Sequence, residues 1–136
     1  ERFVNPARAD ILIASAFHPP YGEKMLTIAE RAGFKKIIIV RNGIEGSIAF
    51  PLKRPVKILV SKLQQDNSFL RHEINIDVEE LLVQKLEAEE MIDSPRASDN
   101  ARLIQSYLVN GKSGNQHIDL RVKVTMEGLT KALQWF

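Results

Sequence analysis

The clearest pattern in the chain is a run of apolar residues, Ile11–Phe17, interrupted only by Ser15. Its length and continuity predict a strand buried on both faces, as in a parallel sheet. His18-Pro19-Pro20 ends it, since each proline removes a backbone donor. From Tyr21 to Ala32 the apolar positions Met25, Leu26, Ile28, Ala29 and Ala32 recur at helical spacing, and Gly33 follows as a C-terminal cap. Lys36–Arg41 supplies a second continuous strand around Ile37-Ile38-Ile39-Val40. Strand, helix and strand within about thirty residues predict a right-handed βαβ unit.

Period-two alternation then takes over. Val56–Leu63 sets Val56, Ile58 and Val60 against Lys57, Leu59 and Ser61, and Phe69–Ile76 places Leu70, His72, Ile74 and Ile76 on one side. These two stretches predict a half-exposed antiparallel pair joined through residues 64–68. Asp77 is placed to cap a helix from Val78 to about Met91, with Glu79 and Glu80 near its positive end. Asp93-Ser94-Pro95 closes that segment. A further helix starts at Ser98 or Asp99, carries Ala101, Leu103, Ile104, Tyr107 and Leu108 on one stripe, and ends at Asn110-Gly111. A last helix is expected from about Asn115 to Trp135, weakened in the middle by Val122, Val124 and Thr125. The expected fold is therefore α/β: one domain over residues 1–136, with a mixed parallel and antiparallel sheet flanked by helices and a C-terminal helical group.

Composition narrows the chemistry. With 136 residues and no cysteine, thiolate metal sites, disulfide frameworks and cysteine nucleophiles are excluded. The apolar runs fall far short of the ~20 residues a membrane helix needs, so no membrane partner is expected. A cytoplasmic setting is compatible with these features. The chain opens on Glu1 without a signal-peptide pattern and reads as a segment of something longer. Charge is uneven: residues 1–72 hold 12 Lys/Arg against 6 Asp/Glu, and residues 73–136 hold 7 against 11. The basic front half favours phosphate-bearing partners.

His18, His72 and His117 stand in no metal-binding spacing, and the acidic cluster of residues 87–90 reads as a solvated helix face. No Gly-x-Ser-x-Gly elbow or complete phosphate-binding Gly-Lys-Ser loop is present. Gly111-Lys112-Ser113-Gly114 follows a helix rather than a strand and reads as an interhelical turn. The strongest candidate is the loop Arg41-Asn42-Gly43-Ile44-Glu45-Gly46-Ser47, at the carboxyl end of a strand where ligands of open α/β sheets bind. Its glycines permit close backbone approach, free N–H groups in such a turn cradle anions, and Arg41 adds a charged fork. Lys53, Arg54 and Lys57 follow closely.

Asn5-Pro6-Ala7, the strand Ile11–Phe17, a proline-initiated helix, and the strand Ile37–Val40 leading into Gly-x-x-Gly together resemble the later part of anthranilate phosphoribosyltransferases. These belong to the glycosyltransferase family 3, or nucleoside phosphorylase-like, group. The resemblance continues through the two alternating strands and the helix Ser98–Asn110, and fades after Gly114. It implies part of a nucleoside phosphorylase or phosphoribosyltransferase catalytic domain whose N-terminal helical dimerisation domain is absent here. The family transfers anthranilate onto the ribose of phosphoribosyl pyrophosphate with magnesium on the pyrophosphate. Its substrate motifs lie upstream of the equivalent of Asn5–Ala7. Its Asp-Glu metal pair falls on Ile48 and Ala49, which cannot ligate magnesium, so no cofactor is expected.

The loop Gly43–Ser47 is closer to a divergent, YbiB-like branch linked to nucleic-acid binding. On that resemblance Lys35, Lys36, Arg41, Lys53, Arg54, Lys57 and Lys62 would make salt-sensitive phosphate contacts. The chain alone is then expected to be non-catalytic, binding phosphate or nucleic acid at Arg41, Asn42, Gly43, Gly46, Ser47, Lys53, Arg54 and Lys57. Two alternatives stand beside it. One is a pentosyltransferase active only as the full-length chain. The other is a structural module that pairs with the missing N-terminal part of the same protein or self-associates through open strand edges.

Overall fold

The computed structural model describes residues 3–44, 47–82 and 97–136. Four strands form one sheet: β1 (Ile11–Ala16), β2 (Lys36–Arg41), β3 (Val56–Leu63) and β4 (Phe69–Ile76), in the spatial order β1-β2-β3-β4. β1 runs parallel to β2, with Ile11 beside Lys36 and Ala16 beside Arg41. The pairs β2–β3 and β3–β4 are antiparallel. The expected mixed α/β sheet with flanking helices is thus observed.

Helix α1 (Pro19–Arg31) connects β1 to β2. It begins two residues earlier than the hydrophobic spacing suggests, because proline fits the first helical positions, where no N–H is required. Gly33 ends the helix at φ 87°, a left-handed turn that suits glycine, and its N–H donates to the Glu30 carbonyl. The side chains of the sheet divide by parity into two cores. Ile37, Ile39 and Leu59 meet Leu26, Ala29 and Phe34 on the α1 face. Ile38, Val40, Ile58, Val60 and Ile76 form the opposite face, covered by Phe50, Leu52 and helix α4 (Gln116–Gln134).

Three expectations change. β1 is an outer strand rather than one buried on both faces. Ile11 and Ile13 are each 38% exposed on the α4 side, where only the inner strands are roofed. β3 is more buried than alternation suggests, because it lies inside the sheet. Leu59 fills the α1-side core, and Ser61 is fully buried through a hydroxyl bond to Glu30 Oε1 at 2.6 Å. The helix after Asp77 is brief: α2 covers Val78–Leu81, and Leu82 is already extended. Residues 83–91 of the expected helix, with the acidic cluster and the Asp93-Ser94-Pro95 stop, lie outside the described residues.

Helix α3 (Ala97–Asn110) ends as expected at Gly111, φ 68°, but buries none of its residues completely, and Leu108 is 79% exposed. α4 is continuous despite its β-branched centre. Val124 and Thr125 are buried there, and tertiary packing outweighs a weak local propensity. Asn115 Oδ1 caps it, accepting from the N–H groups of His117 and Ile118 at 3.0 and 3.2 Å. Among the described residues no helix is long and apolar enough to cross a membrane.

Candidate functional site

Beyond β2 the chain turns sharply at Asn42, φ 59°. Gly43 then passes so close to the following segment that a Cβ there would lie 3.1 Å from the Ala49 carbonyl oxygen and 3.3 Å from Val40 Cγ1. Close approach is the reason for this glycine. The Ile44 N–H donates to the Ala49 carbonyl at 2.9 Å, the Ser47 N–H to the Ile44 carbonyl at 3.0 Å, and the Ala49 N–H to Ser47 Oγ at 3.0 Å. The Phe50 N–H donates to Thr125 Oγ1 at 2.9 Å, which pins the loop to α4. These four N–H groups, of which those of Ile44 and Ser47 belong to the expected anion loop, are committed inside the protein. Glu45 and Gly46 lie outside the described residues.

Side-chain charge is gathered at one end of the sheet. Arg41 and Lys57 are register partners, and both reach Glu73 on β4. Arg41 Nη1 donates to Oε2 at 3.1 Å and Lys57 Nζ to Oε1 at 2.8 Å. Arg54 Nη2 donates to the Gly43 carbonyl at 3.0 Å, bending residues 53–55 back over the loop, and Lys53 stands exposed beside it. Four cations thus lie near the carboxyl end of β2, and two of them share a single carboxylate. The remaining expected contacts are elsewhere. Lys35 pairs with Asp10 at 2.9 Å, Lys36 lies 5.7 Å from the centre of the Phe136 ring, and Lys62 donates to the Phe136 main-chain oxygen. A six-residue strand, roughly 16 Å from end to end, separates the two groups.

Two carboxylates on this face are held below their ordinary values. The Glu73 carboxyl is lowered first by its hydrogen bond from Lys57; partial desolvation opposes this, and the charges of Lys57, Arg41 and His72 add to the lowering. Burial raises the Glu30 carboxyl, but hydrogen bonds from Arg71 and Ser61 and the Arg71 charge together bring it down. Both groups bind protons less readily in the folded chain than in the unfolded one. Their contribution is present above the ordinary value of 4.5 and is lost as pH falls through the folded values. The thermal midpoint should therefore fall on acidification below about pH 5. Glu30→Gln should lower it at neutral pH and flatten that acid dependence. An unchanged acid slope in this variant would contradict the assignment.

Between the loop and α4 lies a cavity of about 370 Å³ whose lining includes Ile44, Ile48, Ala49, Val122, Met126 and Leu129 together with Thr125 and Arg121. Ile48 and Ala49 occupy the positions that the family resemblance gives to magnesium ligands. The residues present do not fit that ion, which requires oxygen donors in near-octahedral array, because both side chains form part of an apolar wall. Among the described residues no three His, Cys, Asp or Glu side chains are placed to hold a metal. Gly111–Gly114 forms the turn between α3 and α4, with Ser113 N–H donating to Asp119 Oδ1 at 2.7 Å.

Comparison with protein-family models, curated proteins and solved structures finds no match to this chain. The site is therefore read from its own geometry.

A group of rings that motif reading passes over lies at the same end of the sheet. Phe17 and His18 meet edge to face, with ring centroids 5.2 Å apart, and His18 and Tyr21 lie 6.2 Å apart. Lys24 Nζ stands 5.7 Å from the centre of the Tyr21 ring. The available signal was three rings at positions i, i+1 and i+4 across the strand-to-helix break. By contrast, His72 stacks on Trp135 at 5.8 Å, and His117 lies in the first turn of α4.

Proposed function

We propose that the chain binds phosphate-bearing partners through Arg41, Lys53, Arg54 and Lys57 and does not itself catalyse group transfer. One observation carries this reading: four cations gather at the carboxyl end of β2, and Glu73 is the carboxylate that Arg41 and Lys57 share. Cations grouped in this way hold a field that attracts polyanions, and arginine adds a planar fork suited to phosphate oxygens. In the same reading the chain is a C-terminal segment of an anthranilate phosphoribosyltransferase-like protein, at home in the cytoplasm. The apolar residues Ile48 and Ala49 at the metal-pair positions support a binding role over phosphoribosyl transfer.

The test is calorimetric titration with inorganic polyphosphate and with a DNA duplex over a range of salt concentrations. Affinity for both should fall steeply with salt, because binding releases condensed counterions. Reversing two charges, Lys53→Glu with Arg54→Glu, should weaken binding by about tenfold or more and shallow the salt slope for the duplex by roughly 2. Failure of either polyanion to bind at low salt, or indifference to the double charge reversal, would remove the reading.

A further inference from the structure

We infer that the outer face of α3 pairs antiparallel with the same face of a second copy, making a two-fold symmetric dimer. None of the cations of the phosphate-binding reading lies on α3, so the two proposals stand or fall separately.

The first support is an apolar stripe left uncovered. Ala97, Ala101, Ile104 and Leu108 recur at the spacing of one helix face, and all four are exposed. Ile104 is 60% and Leu108 79% exposed, and no residue of α3 is fully buried. A helix of 14 residues is marginal in water unless such a stripe is packed against something. The stripe also does not end at the helix. A cleft of about 280 Å³, bordered by Leu103, Tyr107, Ile118 and Val122, adjoins it and carries apolar surface from α3 on to α4.

The second support is that the stripe complements itself. Its small residues, Ala97 and Ala101, lie toward the N-terminal end, and its large ones, Ile104 and Leu108, toward the C-terminal end. A second copy running in the opposite direction sets Ala97 against Leu108 and Ala101 against Ile104, and the two-fold axis repeats both pairings. Small against large lets two helices approach closely and interlock. A parallel pair in register would set leucine against leucine and hold the helices apart.

The third support is charge. Asp99 and Arg102 are the only charged residues of α3, and they stand off the stripe, 3.9 Å from each other. The seam is therefore uncharged, and no like charges meet when two copies close on it. A helix of this length with the cleft margin is roughly 21 Å long and falls at the low end of specific interfaces, which places the dissociation constant in the micromolar range.

The experiment is sedimentation velocity on the full chain from roughly 1 to 300 μM, a span that brackets the range expected for so small an interface. The mass should double across this range and should still do so in about 0.5 M NaCl, because an apolar seam is not screened. Leu108→Asp should raise the dissociation constant by about thirtyfold or more. Ala101→Ile should raise it by about tenfold through overpacking against Ile104 of the second copy. Adding Ile104→Ala to Ala101→Ile exchanges small for large and should restore most of the affinity. These positions stand at the surface, so circular dichroism of the dilute variants should match wild type. A monomer at every concentration would overturn the proposal, as would a dimer lost in salt or indifferent to Leu108→Asp. Failure of Ile104→Ala to rescue Ala101→Ile would overturn the antiparallel pairing. A dimer abolished by Ile13→Lys in β1, but not by Leu108→Asp, would assign association to the open strand edge instead.

Discussion

Phe50→Ala should lower the free energy of unfolding by about 3–5 kcal/mol, read from the midpoint of a urea titration. Phe50 is fully buried in the core beneath α4, directly after the loop that leaves β2. Removing its ring leaves a cavity lined by side chains from the sheet and α4, and the cost combines lost transfer energy with that void. A domain of this kind has only about 5–15 kcal/mol in total, so the variant should stand close to the edge of folding at 37 °C. The loop should respond as well, since the Phe50 N–H also ties it to Thr125. A loss below about 1 kcal/mol would show that the ring is not the anchor described here.

Gly128→Ala should be destabilising by about 2 kcal/mol, although alanine is favoured over glycine by about 1 kcal/mol inside a helix. A Cβ at this position would lie 2.2 Å from Phe50 Cε2 and 2.8 Å from Cζ. The obstacle is a fully buried ring, so α4 must lift or the ring must leave its rotamer. The same geometry predicts coupling. In a Phe50→Leu background the added methyl group should cost much less than in the wild type, and the double variant should be more stable than the summed single effects. Strict additivity would place the Gly128 effect somewhere other than this contact.

Much of the architecture could be read from periodicity because local pattern and final fold agree. The strand around Ile37–Val40 has all four residues fully buried, and the alternation in Phe69–Ile76 does send Ile74 and Ile76 into one core. The misreadings have a common origin in long-range placement. Nothing local in residues 11–16 marks the strand as an outer one. The polar residues of β3 look solvent-facing until Ser61 is seen to meet Glu30, 31 positions away, and Lys57 to meet Glu73. The cap at Asp77 was legible, its Oδ1 accepting from the Glu79 N–H at 3.0 Å, but the early end of α2 was not. At the site, the cations were legible as a cluster in sequence. Their division between the two ends of β2 follows from register, and the contact of the Phe17, His18 and Tyr21 rings follows from the strand-to-helix turn that brings them together.

The division of side chains by parity has a consequence for how the molecule comes apart. β2 sends Ile37 and Ile39 to one layer and Ile38 and Val40 to the other, while β3 does the same with Leu59 against Ile58 and Val60. Both layers therefore share the ladder between these two strands, and breaking it removes a wall from each. Heat or denaturant should thus take both layers in a single cooperative step, in which damage beneath α4 is felt equally under α1.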